Sequence, residues 1–344
     1  MRYHLFTTSI KAWDAMLSAI QKAEKSIFLE SYIFSDDTKK SHDFIGWLRK
    51  KATSGVSVVA VVDAFGSRKL KNKIEKLNQK TQIEFLFFSH WLRHIHRKVL
   101  IVDEKIAFIG GVNIGRKFQS WNDLHLQLSG KIINRILKSF AYTYTMAGGK
   151  KTEILAYQQK KFGQKIKFWL IEHWPIRNIY TLKKHYIEKI NSAQKSILII
   201  TPYFTPPRWL ISLLDNAIRR GVKIEILIPK KVDWKIMDII NYRFMCSLYP
   251  LGINFFLSPK MNHSKLLLID EKDCLIGSQN IDLLSFNINM EIGIFFHNKE
   301  LLGQLLKTIA QWKKNSISFQ PDKYRLRWLD YFILMLLKIL RPIL

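Results

Sequence analysis

The hydrophobic positions in the first half of the chain predict alternating helices and strands. Apolar residues recur at helical spacing over residues 10–24, and a second helix is predicted at about 39–52. Short, nearly continuous apolar stretches of the kind found in buried strands occupy residues 26–34, 55–62 and 83–88. This order of elements predicts the α/β class, with a sheet covered by helices on both faces.

The same order of elements returns in the second half, offset by about 166 to 170 residues. The matching segments are residues 193–197, which echo 23–27, and then 208–219, 221–228 and 253–257. An offset repeat of this length is what duplication of an α/β unit leaves. We therefore predict two tandem domains, residues 1–150 and 151–321, and interpret the basic stretch around Gly148-Gly149-Lys150-Lys151 as a solvated linker.

Residues 322–344 stand outside the repeat. The segment 331–337 is apolar nearly all round and is flanked by basic residues, namely Arg325, Arg327, Lys338 and Arg341. Apolar length combined with flanking cations is typical of an amphipathic segment at a membrane interface. The alternative is a terminal helix packed on the core of the second domain.

The net charge of the chain indicates anionic binding partners but does not distinguish between nucleic acid and membrane. The 344 residues include 55 Lys and Arg against 27 Asp and Glu, a formal net charge of +28, which favours nucleic acid or an anionic membrane as partner. The two cysteines, Cys246 and Cys274, fit no disulfide or metal spacing. No export signal is recognised at the N-terminus, and no segment reaches the ~20 apolar residues of a membrane-spanning helix.

A short polar motif follows the same repeat. His96, Lys98 and Asp103 recur as His263, Lys265 and Asp270, with identical spacing. From each histidine a glycine follows at +14 and an asparagine at +17, as Gly110 and Asn113 and again as Gly277 and Asn280. Apolar residues separate the lysine from the aspartate, so a buried strand projects His and Lys to one side. A surface strand would explain one copy, but agreement at five positions favours a functional site.

The paired His-x-Lys-x4-Asp motif resembles the phospholipase D superfamily and, more narrowly, its bacterial cardiolipin synthases. The segments that carry the narrower resemblance are Gly277-Ser278-Gln279-Asn280-Ile281-Asp282 with Ser285, Asn289-Met290-Glu291, residues 201–207 and Trp121-Asn122-Asp123. Leu284 and Asn122 stand where that family usually has arginine. The resemblance implies two pseudo-twofold-related α/β/α phospholipase D-like domains, each a mixed sheet flanked by helices, in the shorter branch without N-terminal transmembrane helices.

If the two halves face each other, the motifs surround one phosphate. Lys98 and Lys265 with Asn113 and Asn280 would then stabilise its oxygens, and no metal or cofactor is required. One neutral imidazole attacks phosphorus while the other, protonated, serves as acid and then base. The residues leave open which histidine does which; the resemblance implies that His96 is the nucleophile, forming a phosphohistidine, and His263 the acid and base.

Three further residues are expected to support the motifs. A carboxylate should orient each imidazole, and the candidates are Glu291, at +28 from His263, and Asp123, at +27 from His96. Ser278 joins this supporting set through its place in the family pattern. Asp103 and Asp270 belong to the catalytic motif, and we expect them to anchor the site through a salt bridge or backbone contacts.

The resemblance implies a phosphatidyltransferase that moves a phosphatidyl group from phosphatidylglycerol to a second phospholipid or an alcohol. A phospholipase D hydrolase would share every catalytic residue, and a phospholipase D-family nuclease is the disfavoured third alternative. The expected partner is an anionic phospholipid membrane containing phosphatidylglycerol, with phosphatidylethanolamine as another possible acceptor, rather than nucleic acid. We expect a peripheral protein of the bacterial inner membrane, for which a monomer suffices because one chain carries both motifs.

Overall fold

A computed structural model describes residues 2–70, 73–74, 83–160 and 168–323. In the first half, seven strands form one sheet in the order β1-β7-β6-β5-β2-β3-β4. Strands β2, β3 and β4 are parallel and the other pairs are antiparallel, so the sheet is mixed. The strands are β1 (Tyr3–Thr8), β2 (Ser26–Ser31), β3 (Ser57–Asp63), β4 (Glu84–Phe88), β5 (Lys98–Val102), β6 (Ile106–Gly110) and β7 (Asn122–Ser129).

The second half repeats this sheet and adds a short strand at one edge. Its order is β15-β11-β10-β9-β12-β13-β14-β8, with β9, β10 and β11 parallel. The strands are β8 (Phe168–His173), β9 (Ser196–Ile200), β10 (Lys223–Pro229), β11 (Asn254–Ser258), β12 (Leu266–Ile269), β13 (Asp273–Gly277), β14 (Glu291–Phe296) and β15 (Ile317–Ser318). The predicted α/β class, with two mixed sheets flanked by helices, is confirmed.

Helices cover the outer face of each sheet and also fill the space between the two sheets. The helices are α1 (Ser9–Lys22), α2 (Phe44–Thr53), α3 (Ile132–Met146), α4 (Thr152–Leu155), α5 (Thr181–Ser192), α6 (Arg208–Arg219), α7 (Lys235–Leu248), α8 (Leu283–Asn287) and α9 (Lys299–Lys314). Helices α1 and α2 pack outside the first sheet, and α5, α6 and α7 outside the second. The inner faces share one central core with α3 and α9, so the two domains are joined by common hydrophobic packing.

Among the strands absent from the sequence prediction, two lie at corresponding edges of the two sheets. β1 pairs with β7, and β8 pairs with β14, both antiparallel, so the two additions correspond under the repeat. Neither strand shows clean alternation, because each mixes buried and half-buried positions. Between the sheets, residues 147–160 do not form a purely solvated linker, since Ile154 and Tyr157 pack into the central core.

The C-terminal prediction concerns residues 322–344, and residues 324–344 of it lie outside the described part of the chain. Within residues 2–323, as far as they are described, no helix combines the length and apolar character needed to cross a bilayer. The domain boundary at residue 150 stays a prediction. The first sheet ends at Ser129 and the second begins at Phe168.

Strand direction brings both motifs to one edge of their sheets. Because β5 runs antiparallel to β2, Lys98 at the start of β5 lies opposite Ser31 at the end of β2. The loops that follow β2, β3, β4 and β6 therefore meet at the edge where His96 lies. The second sheet has the same arrangement around His263, since Leu266 of β12 lies opposite Ile200 of β9.

Candidate active site

The backbone joins the two halves at the motifs themselves. The His96 N–H donates to the Met290 carbonyl at 3.0 Å, and the Met290 N–H donates back to the His94 carbonyl at 2.9 Å. The equivalent exchange joins the His263 N–H to the Asn122 carbonyl at 2.7 Å, and the Asn122 N–H to Met261 at 3.0 Å. Each histidine is thus paired, as in a short strand, with the segment that immediately precedes the carboxylate of the other half.

The first imidazole is held by a carboxylate from the second half. His96 Nδ1 lies 2.9 Å from Glu291 Oε1, and both side chains are buried. Ser278 donates a hydroxyl hydrogen bond to one carboxylate oxygen of Glu291, and Ser285 donates to the other at 2.8 Å. A carboxylate bonded in this way favours the imidazole tautomer protonated at Nδ1, which leaves the Nε2 lone pair free to react.

The second imidazole is held by a carboxylate from the first half. His263 Nδ1 lies 2.9 Å from Asp123 Oδ2, and the Leu124 N–H donates to Asp123 Oδ1 at 2.8 Å. A Cβ added at Gly111 would lie 2.2 Å from that same Oδ1, so the carboxylate occupies space that only glycine leaves open. Counting from the histidine within each half suggested the opposite pairing, and the structure corrects it: both carboxylates cross over, because the backbone bridges do.

The two lysines lie buried behind the histidines. Lys98 Nζ donates to the His96 carbonyl and Lys265 Nζ to the His263 carbonyl, each at 2.5 Å. Burial lowers the pKa of Lys98 to about 7 and that of Lys265 to about 8, and in each case carboxylates of both halves oppose the shift. Near neutral pH each ammonium group is therefore close to losing its proton. A negatively charged ligand such as a phosphate would stabilise the protonated form.

Burial acts in the same direction on both imidazoles. It lowers the pKa of His96, and the positive charges of Lys98 and Lys265 add to the effect. The pKa of His263 is lowered further, by burial and then by the same two lysines. Both rings are therefore neutral near pH 7 in this structure, and the field of an anionic substrate is needed to place a proton on either of them.

The two motif asparagines lie at corresponding positions after β6 and β13. Both Asn113 and Asn280 are buried, and the carboxamide oxygen of each accepts no hydrogen bond from any residue that the structure describes. Elsewhere they are fixed firmly: Trp13 Nε1 donates to the Asn113 carbonyl at 3.0 Å, and the Asn280 N–H donates to Ser285 at 3.0 Å. Unsatisfied buried carboxamide oxygens are unusual, and it is the NH2 group of the same side chain, not this oxygen, that can donate to a phosphate.

The motif aspartates lie away from the histidines. Asp103 and Asp270 follow the far ends of β5 and β12, roughly 16 Å along the strand from Lys98 or Lys265. The Asp103 carboxylate accepts backbone N–H bonds from Glu24, Lys25 and Ser26, and Asp270 does the same for residues 194–196. Both also adopt positive φ, 51° and 53°, in a hairpin turn that Asp tolerates. Their role is backbone anchoring, without contact to the reacting atoms.

Several further residues surround the site, and none of them was predicted to contact the histidines. The Tyr32 ring lies edge-on to His96 at 4.8 Å, and the Trp121 ring lies 5.5 Å from His263. Across the mouth, Asp233 accepts from Tyr203 at 2.5 Å and from Lys117 of the first half at 2.8 Å. Trp121 and Tyr203 lie in segments that carry the family resemblance, and Tyr32 lies in a predicted strand; Asp233 has no such signal, because it lies in a loop.

A sheet pair that brings two carboxylate-bound imidazoles and two buried lysines to one gap defines the phospholipase D class of phosphodiester-transferring enzymes. The family model described as "Cardiolipin synthase, PLD-like domain" matches residues 16–142 and again 186–312. The chain therefore belongs to the cardiolipin synthase family of phospholipase D-like proteins and is a phosphatidyltransferase.

Individual relatives agree with this assignment. The chain is 31% identical to a cardiolipin synthase of Clostridium perfringens (strain SM101 / Type A) over 320 residues, covering 86% of this chain and 67% of the relative. It is 27% identical to a cardiolipin synthase of Listeria monocytogenes serotype 4b (strain CLIP80459), covering 95% of this chain and 72% of the relative. Among solved structures, phosphatidylserine synthase of Haemophilus influenzae Rd KW20 shares the fold, with a TM-score of 0.77 at 16% identity, over 99% of this chain and 93% of that one.

Proposed function

We propose that this chain transfers a phosphatidyl group from phosphatidylglycerol to a hydroxyl of a second phospholipid or an alcohol, through a phosphohistidine on His96. The observation that carries the proposal is the crossed pair of buried imidazoles, each bonded through Nδ1 to a carboxylate of the other half. Cardiolipin synthase relatives support the choice of lipid. The reaction would take place at an anionic phospholipid membrane, the bacterial inner membrane, with the chain attached peripherally.

In the first step, His96 Nε2 attacks phosphorus in line with the glycerol oxygen. The P–N bond forms, the P–O bond to glycerol breaks, and His263 gives its proton to the departing oxygen. Lys98, Lys265, Asn113 and Asn280 stabilise the negative charge that collects on the non-bridging oxygens. The substrate's own anionic charge raises the pKa of His263 towards the value that an acid needs, offsetting the effect of burial.

In the second step, His263 takes the proton of the acceptor hydroxyl, whose oxygen attacks phosphorus. The P–O bond forms, the P–N bond breaks, and His96 returns to its neutral form with Glu291 as its partner. Water would give phosphatidic acid by the same route. The buried, closely packed surroundings of both histidines favour an alcohol delivered by a lipid over free water.

Product analysis tests the proposal. Purified protein is given phosphatidylglycerol in mixed liposomes, and cardiolipin, free glycerol and phosphatidic acid are quantified. We expect cardiolipin and glycerol in equal amounts, and no turnover by the His96→Ala or His263→Ala variants. Phosphatidic acid as the sole product would identify a hydrolase. Cleavage of single-stranded DNA without any lipid turnover would contradict the proposal and identify a nuclease.

One polypeptide is sufficient for the proposed reaction. Both histidines, both lysines and both carboxylates come from a single chain, and the backbone bridges hold them together without a second copy. We therefore propose that the monomer is active, and turnover per chain should not change when the protein is diluted in detergent-lipid micelles.

A further inference from the structure

We propose that an apolar rim around the active-site mouth inserts into an anionic lipid bilayer and seats the catalytic gap directly on the membrane. The rim consists of Phe65, Trp91, Leu92, Trp234, Ile236 and Leu284, all of them exposed. This inference rests on the proposed function and adds to it the face of the protein through which lipid reaches the histidines.

The rim contains the most solvent-exposed large apolar side chains that the structure describes. Trp91 is 85% exposed, Trp234 63% and Phe65 57%, the three highest values among the large apolar residues that the structure describes. Outside the rim, the other exposed large apolar residues that the structure describes lie between 38% and 50%; they are Ile10, Ile179, Tyr180, Tyr249 and Ile317. Single exposed apolar residues are ordinary, but the concentration of the most exposed aromatic side chains on one rim is not.

Chain topology puts every rim residue at the edge where the histidines lie. Phe65 follows β3, and Trp91 and Leu92 lie between β4 and His96. Trp234 and Ile236 follow β10, and Leu284 lies in the first turn of the short α8 between Asn280 and Glu291. Both halves therefore contribute to the rim, on opposite sides of the gap that they share.

The rim is coupled to the site by packed and hydrogen-bonded side chains. The Phe65 ring lies 5.2 Å from His94, which lies 6.1 Å from Tyr32, the ring beside His96. Buried Asp63 accepts the Phe65 N–H at 3.0 Å and the Ile95 N–H at 2.9 Å, and this fixes the two rim loops to each other. On the other side, Asp233 precedes Trp234 and is held by Tyr203 and Lys117.

The charge around the rim selects the partner. Exposed cations lie on the rim loops at Arg68, Lys69, Lys230, Lys231 and Lys235, and on the loop after β6 at Arg116 and Lys117. The carboxylates nearby are already engaged: Asp36 binds Lys73 at 2.6 Å, and Asp37 accepts the Arg116 N–H at 2.8 Å. Aromatic side chains among cations suit the headgroup region of an anionic bilayer. A second copy would bring a like-charged face, which argues against self-association.

The test compares two matched variants of the full chain. In the rim variant Trp91 and Trp234 are replaced by Ser; in the control variant Tyr249 and Ile317 are replaced by Ser. Both are checked for unchanged circular dichroism and thermal midpoint. Binding is measured by co-flotation with phosphatidylcholine vesicles that contain phosphatidylglycerol. We expect about tenfold or greater loss of vesicle affinity for the rim variant and none for the control.

Turnover separates this inference from the proposed function. With a short-chain phosphatidylglycerol dissolved below its micellar concentration, the rim variant should retain wild-type activity within about threefold, because no catalytic group is changed. On vesicles its activity should fall together with its binding. If the wild type turns over no lipid, the proposed function fails, while the difference in vesicle binding still supports or overturns the rim.

Three results would overturn the inference. The first is equal vesicle affinity for wild type and rim variant, which would assign docking to another surface. The second is equal loss in the rim and control variants. The third is a concentration-dependent dimer or a single-stranded DNA complex that disappears in the rim variant while vesicle binding persists, which would make another copy or a nucleic acid the occupant.

Discussion

The two halves of the molecule share a fold and a motif, yet they hold their histidines differently. The carboxylate that supports His96 is fixed by two serine hydroxyls, whereas the one that supports His263 is fixed by a backbone N–H and by the space at Gly111. Although burial raises the pKa of Glu291, its contact with His96, the positive charge of Lys98 and the Ser278 hydrogen bond bring it below the usual value. Burial raises the pKa of Asp123 to about 6.

The two halves also depend on each other for these carboxylates. Each half supplies the carboxylate that supports the histidine of the other half. Neither half therefore contains a complete histidine–carboxylate pair. A second difference lies between His and Lys, where the first half has Arg97 and the second Ser264. The buried Arg97 guanidinium lies 2.9 Å from Glu30, bonds Ser139 at 2.6 Å and stacks on Trp174 of the second half at 4.3 Å.

The largest expected effect comes from neutralising either carboxylate. Glu291→Gln and Asp123→Asn should each lower kcat by about 10²- to 10⁴-fold, because the amide no longer holds the imidazole in the reactive tautomer. Steady-state transfer from phosphatidylglycerol measures this loss. Asp282→Asn, which changes a nearby helix-capping carboxylate, is a control for general charge and should cost far less. Full activity in Glu291→Gln would contradict the account.

The next effect concerns stability and uses the Arg97 and Ser264 pair. Arg97→Met should lower the free energy of unfolding by about 3 to 5 kcal/mol, because it leaves Glu30 buried and unpaired, and burial already raises the pKa of that carboxyl. Urea denaturation measures the change. Ser264→Ala should cost less than about 1 kcal/mol, since its buried hydroxyl has no hydrogen-bond partner among the described residues. Equal costs in the two variants would show that Arg97 does not stabilise the buried Glu30 carboxylate.

A smaller loss of kcat is expected from changing the residues that position the two carboxylates. Gly111→Ala places a Cβ against Asp123, and Ser278→Ala removes a bond to Glu291; each should lower kcat by about 10- to 100-fold. Gly303→Ala is the matched control, because a Cβ there meets nothing within 4 Å. A loss in the control as large as in Gly111→Ala would remove the explanation based on close contact.

The smallest effect is a pH dependence set by the two lysines. With pKa values of about 7 for Lys98 and about 8 for Lys265, kcat/KM should fall about tenfold between pH 7 and pH 8 as the ammonium groups lose their protons. Stability should change in the opposite direction. Above pH 7 the unfolded chain still binds the Lys98 proton while the folded chain releases it, so this group's contribution rises with pH.

Lys98→Met provides the control for that prediction. The variant lacks the titrating amine, and the increase in the free energy of unfolding between pH 7 and pH 9 should be smaller than in the wild type. Parallel urea titrations of the two proteins measure the difference. Identical slopes would show that Lys98 keeps its proton throughout this range.

Much of the fold can be predicted from the sequence, because the repeat places an equivalent of most helices and strands in each half. The strand predictions for residues 55–62 and 221–228, which are equivalent in the repeat, strengthen each other. The helix predicted over residues 208–219 is observed at those residues. The edge strands β1 and β8 could not be predicted, since their side chains lack a regular pattern and their pairing partners are distant in the chain. The motif aspartates Asp103 and Asp270 were correctly expected to make backbone contacts.

The crossed support of the histidines could not be read from spacing. Glu291 is 28 residues from His263 and 195 from His96, and a sequence offers no reason to prefer the longer separation. The backbone bridges at Met290 and Asn122 are what place each carboxylate beside the histidine of the other half. The apolar rim is likewise hidden, because Phe65, Trp91 and Trp234 are isolated aromatic residues until the fold brings their loops to one edge.

The most direct test of the crossed site uses a phosphatidyl ester of 4-nitrophenol, whose leaving group departs without being protonated. The first step then needs His96 and its carboxylate but not the acid. Stopped-flow absorbance should show a stoichiometric burst of nitrophenolate for His263→Ala and Asp123→Asn, and no burst for His96→Ala and Glu291→Gln. A burst that survives in Glu291→Gln and disappears in Asp123→Asn would contradict the account, since each carboxylate would then serve the histidine of its own half.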